Sequence, residues 1–344
     1  MSSPATAVRK RIRTRANLLL IGWVAAIVVS VIAALSWGVE SISAQQALRL
    51  LISDSDISGA DGALSAVVQQ VRAPRVAIAL IVGAVLGVAG AVSQGLFANP
   101  LAEPTIIGIA SGAAVGLLLA VSVGWVAIAS FGGVVAAVVG AAVTAVLISR
   151  WDRDGRDPLA LLLAGIAVAA LGNAVVGLIT ATSGRGDLRS ISFWSLGSLS
   201  LATWQSVQAM VVPAALGVIG AIVLARRLDY LALGSTGARH LGVDVRTARA
   251  LAFIVLALLI GSAVAIVGII AFVGLVVPHV ARLAVGPRHR HLLVHSALLG
   301  ALLVLWADTT ARTLLLPIEI PIGLITAVIG APVLLVLLKW VRQP

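Results

Sequence analysis

Residues 17–37 read NLLLIGWVAAIVVSVIAALSW, and Arg9, Lys10, Arg11, Arg13 and Arg15 stand just before them. The run carries no charge. At a rise of about 1.5 Å per residue it reaches across roughly 30 Å of hydrocarbon. A secretory leader has a shorter apolar region of roughly 7–15 residues, so this is a membrane helix and not a cleavable signal. Its basic flank, the tail 1–16, places the N-terminus on the cytoplasmic side.

The same apolar character recurs along the chain. Further segments lie at about 73–93, 105–122, 124–149, 158–182, 204–225, 249–268, 270–284, 292–311 and 321–341, which with the first makes ten. The stretch from Arg249 to Arg282 is too long for one crossing, so Val267-Gly268-Ile269 reads as a tight turn between two spans. Ten crossings return the C-terminus to the side of the N-terminus. With that threading, 18 of the 24 Lys and Arg fall on the cytoplasmic side and six outside, the asymmetry that polytopic proteins show. The expected fold is therefore an all-α polytopic membrane protein of about ten transmembrane helices, one domain over 1–344. The segment 38–70, with Asp54, Asp56, Asp61 and several Ser and Gly, is expected to be polar and outside. Residues 193–199 are expected to form a short helix at the outer interface, where aromatic rings settle.

Composition agrees. Sixty per cent of the 344 residues are hydrophobic and 11% are charged, against roughly 25% charged in soluble domains. Water offers such a chain no stable surface, and lipid does. The 34 glycines suit close helix approach. The net charge of +11 reads as topology and not as a nucleic-acid footprint. Cysteine is absent, which removes disulfides, thiolate metal sites and cysteine nucleophiles.

No GxxxxGK[ST] motif is present; Gly234-Ser235-Thr236-Gly237 lacks the Lys and follows no strand. There is no HExxH, and the five His fall on or near the cytoplasmic side. These absences argue against catalysis in this chain and leave the classes transporter, channel and scaffold. An ion-coupled carrier needs ionisable groups inside the membrane, and only Glu103 and Asp308 qualify. Glu103 lies in the Pro-bounded turn Asn99–Pro104 and reads as a loop acid. Asp308 precedes Arg312 by four residues, a spacing that makes an ion pair on one helix face.

Several stretches in fixed order resemble one family. They are Val71-Arg72-Ala73-Pro74-Arg75, Gly83–Gly90, Gln94-Gly95-Leu96-Phe97-Ala98-Asn99-Pro100-Leu101-Ala102-Glu103-Pro104, Gly108–Gly112, Leu231–Gly234 with Ala238–Val243, Phe272–Arg282, Ala307-Asp308 with Ala311-Arg312, and Glu319–Gly323 with Gly330-Ala331-Pro332. From about residue 70 onward the chain resembles the FecCD permeases of ABC importers for ferric siderophores, heme and cobalamin. The resemblance implies a type II ABC importer permease bundle of ten helices in the bacterial cytoplasmic membrane. It implies a second permease subunit (identical or a close paralogue), two ATPase subunits below and an extracytoplasmic binding protein above. It implies no cofactor in this chain, with ATP and Mg bound by the ATPase partner.

The resemblance and the chemistry of the residues together point to roles. Arg72, Arg75 and Arg312, at outer helix ends, are expected to meet acids on the binding protein, where such contacts steer docking; plain snorkelling at a helix end is the other reading. The cytoplasmic coupling segment 228–246, with Leu231, Leu233, Gly234, Gly237, Ala238, Leu241 and Gly242, is expected to sit in a cleft of the ATPase. Arg185, Arg189, Phe193 and Trp194 are expected at the outer mouth of the path, offering charge and stacking surface to an anionic aromatic cargo, or else anchoring an interfacial helix. Pro278 is expected to kink the eighth helix, with His279 satisfying the freed backbone. Gly83, Gly87 and Gly90 form a small-residue face for close packing or for lining the path. Residues 193–204 resemble heme permeases more than the others, which favours heme, with a ferric siderophore beside it and cobalamin as the alternative.

Overall fold

A computed structural model of the chain describes residues 4–38, 42–52, 60–151 and 158–341, and their side chains except at 4–15, 60–61, 158–159, 185–189 and 337–341. Among the described residues the structure is helical, without a strand. The order is α1 (Pro4–Ser36), α2 (Ala44–Ile52), α3 (Ala60–Ala66), a π-helical turn (Val67–Arg72), α4 (Ala73–Leu96), α5 (Ile109–Ser122), α6 (Phe131–Ser149) and α7 (Pro158–Thr182). It continues with α8 (Arg185–Ser195), α9 (Trp204–Leu231), α10 (Gly234–His240), α11 (Val245–Val267), α12 (Val273–Val285), α13 (His289–Thr313) and α14 (Ile322–Val341).

Seven helical runs are long and apolar enough to cross a membrane: those of α1, α3–α4, α6, α7, α9, α11 and α13. Three shorter apolar helices, α5, α12 and α14, bring the number to ten. With its 13 residues α12 is only about 20 Å long, short of a full crossing. Residues 268–272 ahead of it are not helical. Gly268 ends α11 at φ 74°, and Phe272 caps α12 at φ 68°, a left-handed conformation that costs a β-carbon residue energy.

Helix starts follow local chemistry. Ser130 Oγ accepts from the Gly133 amide at the head of α6. Thr203 and Ser206 form a reciprocal capping box at α9. Asp244 caps α11, and the bonds from the Thr247 hydroxyl and amide hold its exposed carboxyl below the usual range.

The segment after α1 is more ordered than its polar composition implied. Its described parts form α2, α3 and the π-helical turn, which runs without a break into α4. The reason is amphipathicity: Ala47 and Leu50 of α2 are buried, and Gln69 Nε2 donates to the Leu50 carbonyl at 2.8 Å.

The centre of the bundle is α4, α11 and α13. The best apolar windows of α4 and α11 are each 78% buried and that of α13 61%, whereas that of α7 is 6% buried and faces outward. The glycine face of α4 makes this packing possible. A β-carbon at Gly83 would collide with the Gly300 carbonyl, one at Gly87 with that of Ser296, and one at Gly90 with that of Gly274. Gly83, Gly87 and Gly90 are thus occupied by backbone contact with α13 and α12, and packing is their role.

Candidate functional site

At the end of the bundle where α1 finishes and α4 begins, here the upper end, five charged side chains converge. Arg75, in the first turn of α4, donates from Nε to Asp308 Oδ1 at 2.9 Å and from Nη1 to both Glu319 oxygens at 2.9 and 3.1 Å. Arg312 Nε lies 3.7 Å from Asp308 Oδ2 on the same helix, and its Nη2 donates to the Ala34 carbonyl. Arg72 Nη1 donates to the carbonyls of Leu35 at 2.7 Å and Ser36 at 3.2 Å. Two of the three arginines therefore serve the last carbonyls of α1, which have no acceptor role left within that helix and carry its negative dipole end.

All three arginines are thus engaged within the chain. Arg72, Arg75 and Arg312 are only 6%, 8% and 8% exposed. What remains of them lines an open cavity of about 620 Å³, shared with Glu319, Gly38, Val67 and Leu316. The Asp308–Arg312 pair read from spacing is present, but Arg75 holds Asp308 more closely. That partner stands 233 positions away, and no local spacing reveals it. Glu319 was missed as a site residue for the same reason.

At the lower end, α9 leads into α10 and α11. Gly234 and Gly242 have φ 86° and 77°, and they turn the chain on either side of α10. The segment divides by burial. Leu233 is 66% and Leu241 55% exposed, while Leu231 is 2% exposed and Ala238 fully buried. Leu231 and Ala238 are therefore corrected from partner-facing to inward-facing positions: α10 lies back on this chain and they are the side it lies on. Gly237 is half-buried. Arg249 Nη2 donates to Ser235 Oγ at 3.1 Å and ties α10 to α11.

Beside this segment Asp229 Oδ1, on the last turn of α9, accepts from the His289 amide at 2.7 Å and faces His289 Nδ1 at 2.8 Å. The imidazole occupies the space where Gly95 of α4 lacks a side chain: its Nε2 would lie 2.5 Å from an added β-carbon. The ends of α4, α9 and α13 thus meet at one point. Asp229→Ala removes the acceptor of two N–H groups and is expected to cost about 1–2 kcal/mol, read as a lowered thermal midpoint in nanodiscs.

At the upper end α8 covers 185–195. The side chains of Arg185 and Arg189 lie outside the described residues. Phe193 is half-buried and lines a cavity of about 250 Å³ with Ser190, Trp194, Ser198, Ser200 and Leu201. Trp194 is corrected as an open stacking surface: it is 2% exposed, and its indole N–H donates to the Val264 carbonyl at 3.1 Å. An indole shielded from water takes a fixed acceptor, and the end of α11 supplies one. Pro278 lies inside α12, but His279 Nδ1 is buried with no partner among the described residues, so it does not satisfy the freed backbone.

Among the described residues no group of three His, Asp or Glu is placed to hold a metal. The arrangement offers ion pairs and surfaces at both ends, with a tightly packed helical core between them.

Comparison with known proteins places these features in a wider set. The model of the FecCD transport family matches residues 26–340. A hemin transport system permease from Yersinia pestis is 41% identical over 283 residues, 79% of this chain and 83% of that protein. A cobalamin import permease from Halobacterium salinarum is 40% identical, over 79% of this chain and 73% of its own length. An iron(3+)-hydroxamate import permease from Bacillus subtilis is 37% identical, over 80% and 72%. A solved structure of an inward-facing, metal-chelate type ABC transporter superposes with a TM-score of 0.80 at 34% identity, covering 94% of this chain and 99% of the other.

Proposed function

The chain belongs to the FecCD transport family, and on that premise we propose that it is the membrane-spanning permease subunit of an ATP-driven importer that brings heme or a ferric siderophore into the cytoplasm. The relatives include heme, hydroxamate and cobalamin permeases at similar identity, so cobalamin stands as the alternative cargo. The N- and C-termini lie in the cytoplasm, and the lower end faces it. ATP and Mg bind to a separate pair of ATPase subunits. A second permease subunit completes the path, and the loaded binding protein docks above, at the cavity rimmed by Arg72, Arg75 and Arg312.

The observation that carries this reading is α10. It is a seven-residue helix held between two long membrane helices, with Leu233 and Leu241 turned outward beside it. Exposed leucines at the aqueous end of a bundle cost free energy unless something covers them. A cleft in an ATPase is the proposed cover, because the sequence contains no phosphate loop of its own. Engagement and release of that cleft shift the bundle between outward-open and inward-open states, through the partner's differential affinity for the two.

The reading is tested by purifying this chain with its ATPase partner in nanodiscs and measuring ATP hydrolysis as binding protein is added, loaded with heme, with a ferric hydroxamate or with cobalamin. One loaded form should stimulate hydrolysis, and it names the cargo. Leu233→Asp with Leu241→Asp should leave the bundle folded and lower ATPase binding by about 100-fold or more, since a few apolar anchors dominate an interface of this kind. Normal assembly of the double variant, or no stimulation by any cargo, counts against the proposal. Charge reversal of Arg72 or Arg75 is a poor docking probe, because both hold the upper end of the bundle together.

A further inference from the structure

Among the described residues Glu103 is the most deeply buried acid outside the upper network, at 2% exposure in the loop between α4 and α5. Its carboxylate accepts the backbone N–H of Phe272. That residue is the left-handed cap of α12, so the negative group sits where the helix presents its positive end. Pro104 backs the contact: it lies 3.0 Å from where a β-carbon on Gly274 would stand.

The same loop also grips α7. A β-carbon on Gly165 would come within 2.7 Å of the Ile107 carbonyl, and one on Gly108 within 2.7 Å of the Gly165 carbonyl. On its other side Phe272 rests on α14, where Gly330 has no side chain because the Phe272 ring fills that space. The peripheral helix α7, the short helix α12 and the last helix α14 are thus joined in series: Gly165 to Ile107–Gly108, Glu103 to Phe272, and Phe272 to Gly330. The first joint is a backbone contact and the last is the Phe272 ring seated against a glycine. The middle one is a single side-chain hydrogen bond.

We infer that Glu103 is a positioning residue for transport: it fastens the 97–108 loop to the start of α12, so that α7, α12 and α14 change position together. This rests on the importer reading. A short helix that begins inside the bundle has no second aqueous end to fix its depth, and the carboxylate supplies that fixed point. Motion started at the lower end by α10 then passes to three helices and not to one.

The chain has no cysteine, so nitroxide labels can be introduced two at a time at the exposed positions Leu178 of α7, Leu283 of α12 and Leu324 of α14, with Val28 of α1 as the reference. Pairwise distances are measured by pulsed dipolar spectroscopy in the nanodisc complex with the ATPase partner, without nucleotide and with ATP plus vanadate. In the otherwise unmodified chain the α1–α7, α1–α12 and α1–α14 distances should shift with nucleotide, while the α7–α12 and α12–α14 distances stay constant. In Glu103→Ala the α12–α14 distance should still stay constant, while the α1–α7 shift falls to roughly half or less, so that the α7–α12 distance now changes with nucleotide, and ATP hydrolysis persists, as expected when a coupling contact is lost. Glu103→Gln keeps an acceptor oxygen for the Phe272 amide and should behave like the parent. Glu103→Asp keeps the charge but withdraws it by one methylene; it should behave like Ala, and it reports the same point if Ala does not assemble. Parent-like shifts in both Ala and Asp overturn the inference. So does a Gln variant as defective as Ala, which would assign the carboxyl a proton-carrying role. Absence of any nucleotide-driven shift in the parent overturns the importer reading and this inference with it.

Discussion

Asp308→Asn is expected to destabilise the protein by about 3–5 kcal/mol, the cost of breaking a buried ion pair by removing one partner. Asp308 is 1% exposed and is the shared acid of Arg75 and Arg312, whose side chains are 10% and 9% exposed. Asparagine preserves shape and one acceptor oxygen but not the charge, so two guanidinium groups are left in a poorly solvated place with Glu319 as the remaining carboxylate. Thermal unfolding in nanodiscs measures the loss. Glu319→Gln provides the contrast: Glu319 also bonds Arg75 but is 40% exposed, and its loss should cost at most about 1 kcal/mol. The double variant Asp308→Asn with Arg75→Gln should recover part of the deficit, because residues in one network couple by about 0.5–3 kcal/mol. A single Asp308→Asn variant as stable as the parent would show that the upper network does not hold the bundle.

Gly83→Val is expected to cost about 3 kcal/mol or more, at or beyond the upper end of the range for overpacking. Gly83 and Gly300 face each other across α4 and α13, and a β-carbon on either would run into the other's carbonyl. Backbone cannot rotate aside as a flexible side chain can, so the helices must separate and surrender dispersion contacts along their length. The same reasoning covers Gly87 and Gly90, which meet Ser296 and Gly274. The control is Gly22→Val in α1, where nothing lies within 4 Å of an added β-carbon. Size-exclusion profiles and thermal midpoints should separate the two sharply. Equal behaviour would mean that the glycine face of α4 is not a tight seam.

The success of the sequence reading had a simple cause where it was local. Apolar runs of spanning length and the Gly83-Gly87-Gly90 spacing are written within 10–25 residues, and each has a direct physical meaning in a bilayer. The i,i+4 pair of Asp308 and Arg312 is local too, and it is present. The site residues were less legible. Arg75 and Asp308 are far apart in the chain, and burial of Trp194 depends on α11 lying beside it. Leu231 and Leu233 are two residues apart and look equivalent in sequence, yet one is inside and the other outside, because Leu231 closes α9 against the bundle while Leu233 stands in the turn before α10.

What the sequence by itself determined is the medium and the class. A chain with 60% hydrophobic residues, ten apolar segments and an ordered series of family motifs is a multi-pass permease whatever its detailed packing, because the cost of placing those segments in water exceeds any rearrangement among them. Only the tertiary structure decided which charges face outward. Charged groups in an apolar surrounding must find partners, and the nearest ones come from other helices: α1 carbonyls for Arg72 and Arg312, Asp308 for Arg75, and the Phe272 amide for Glu103. Such pairings depend on the distance and orientation between helices, and these exist only after the bundle has packed.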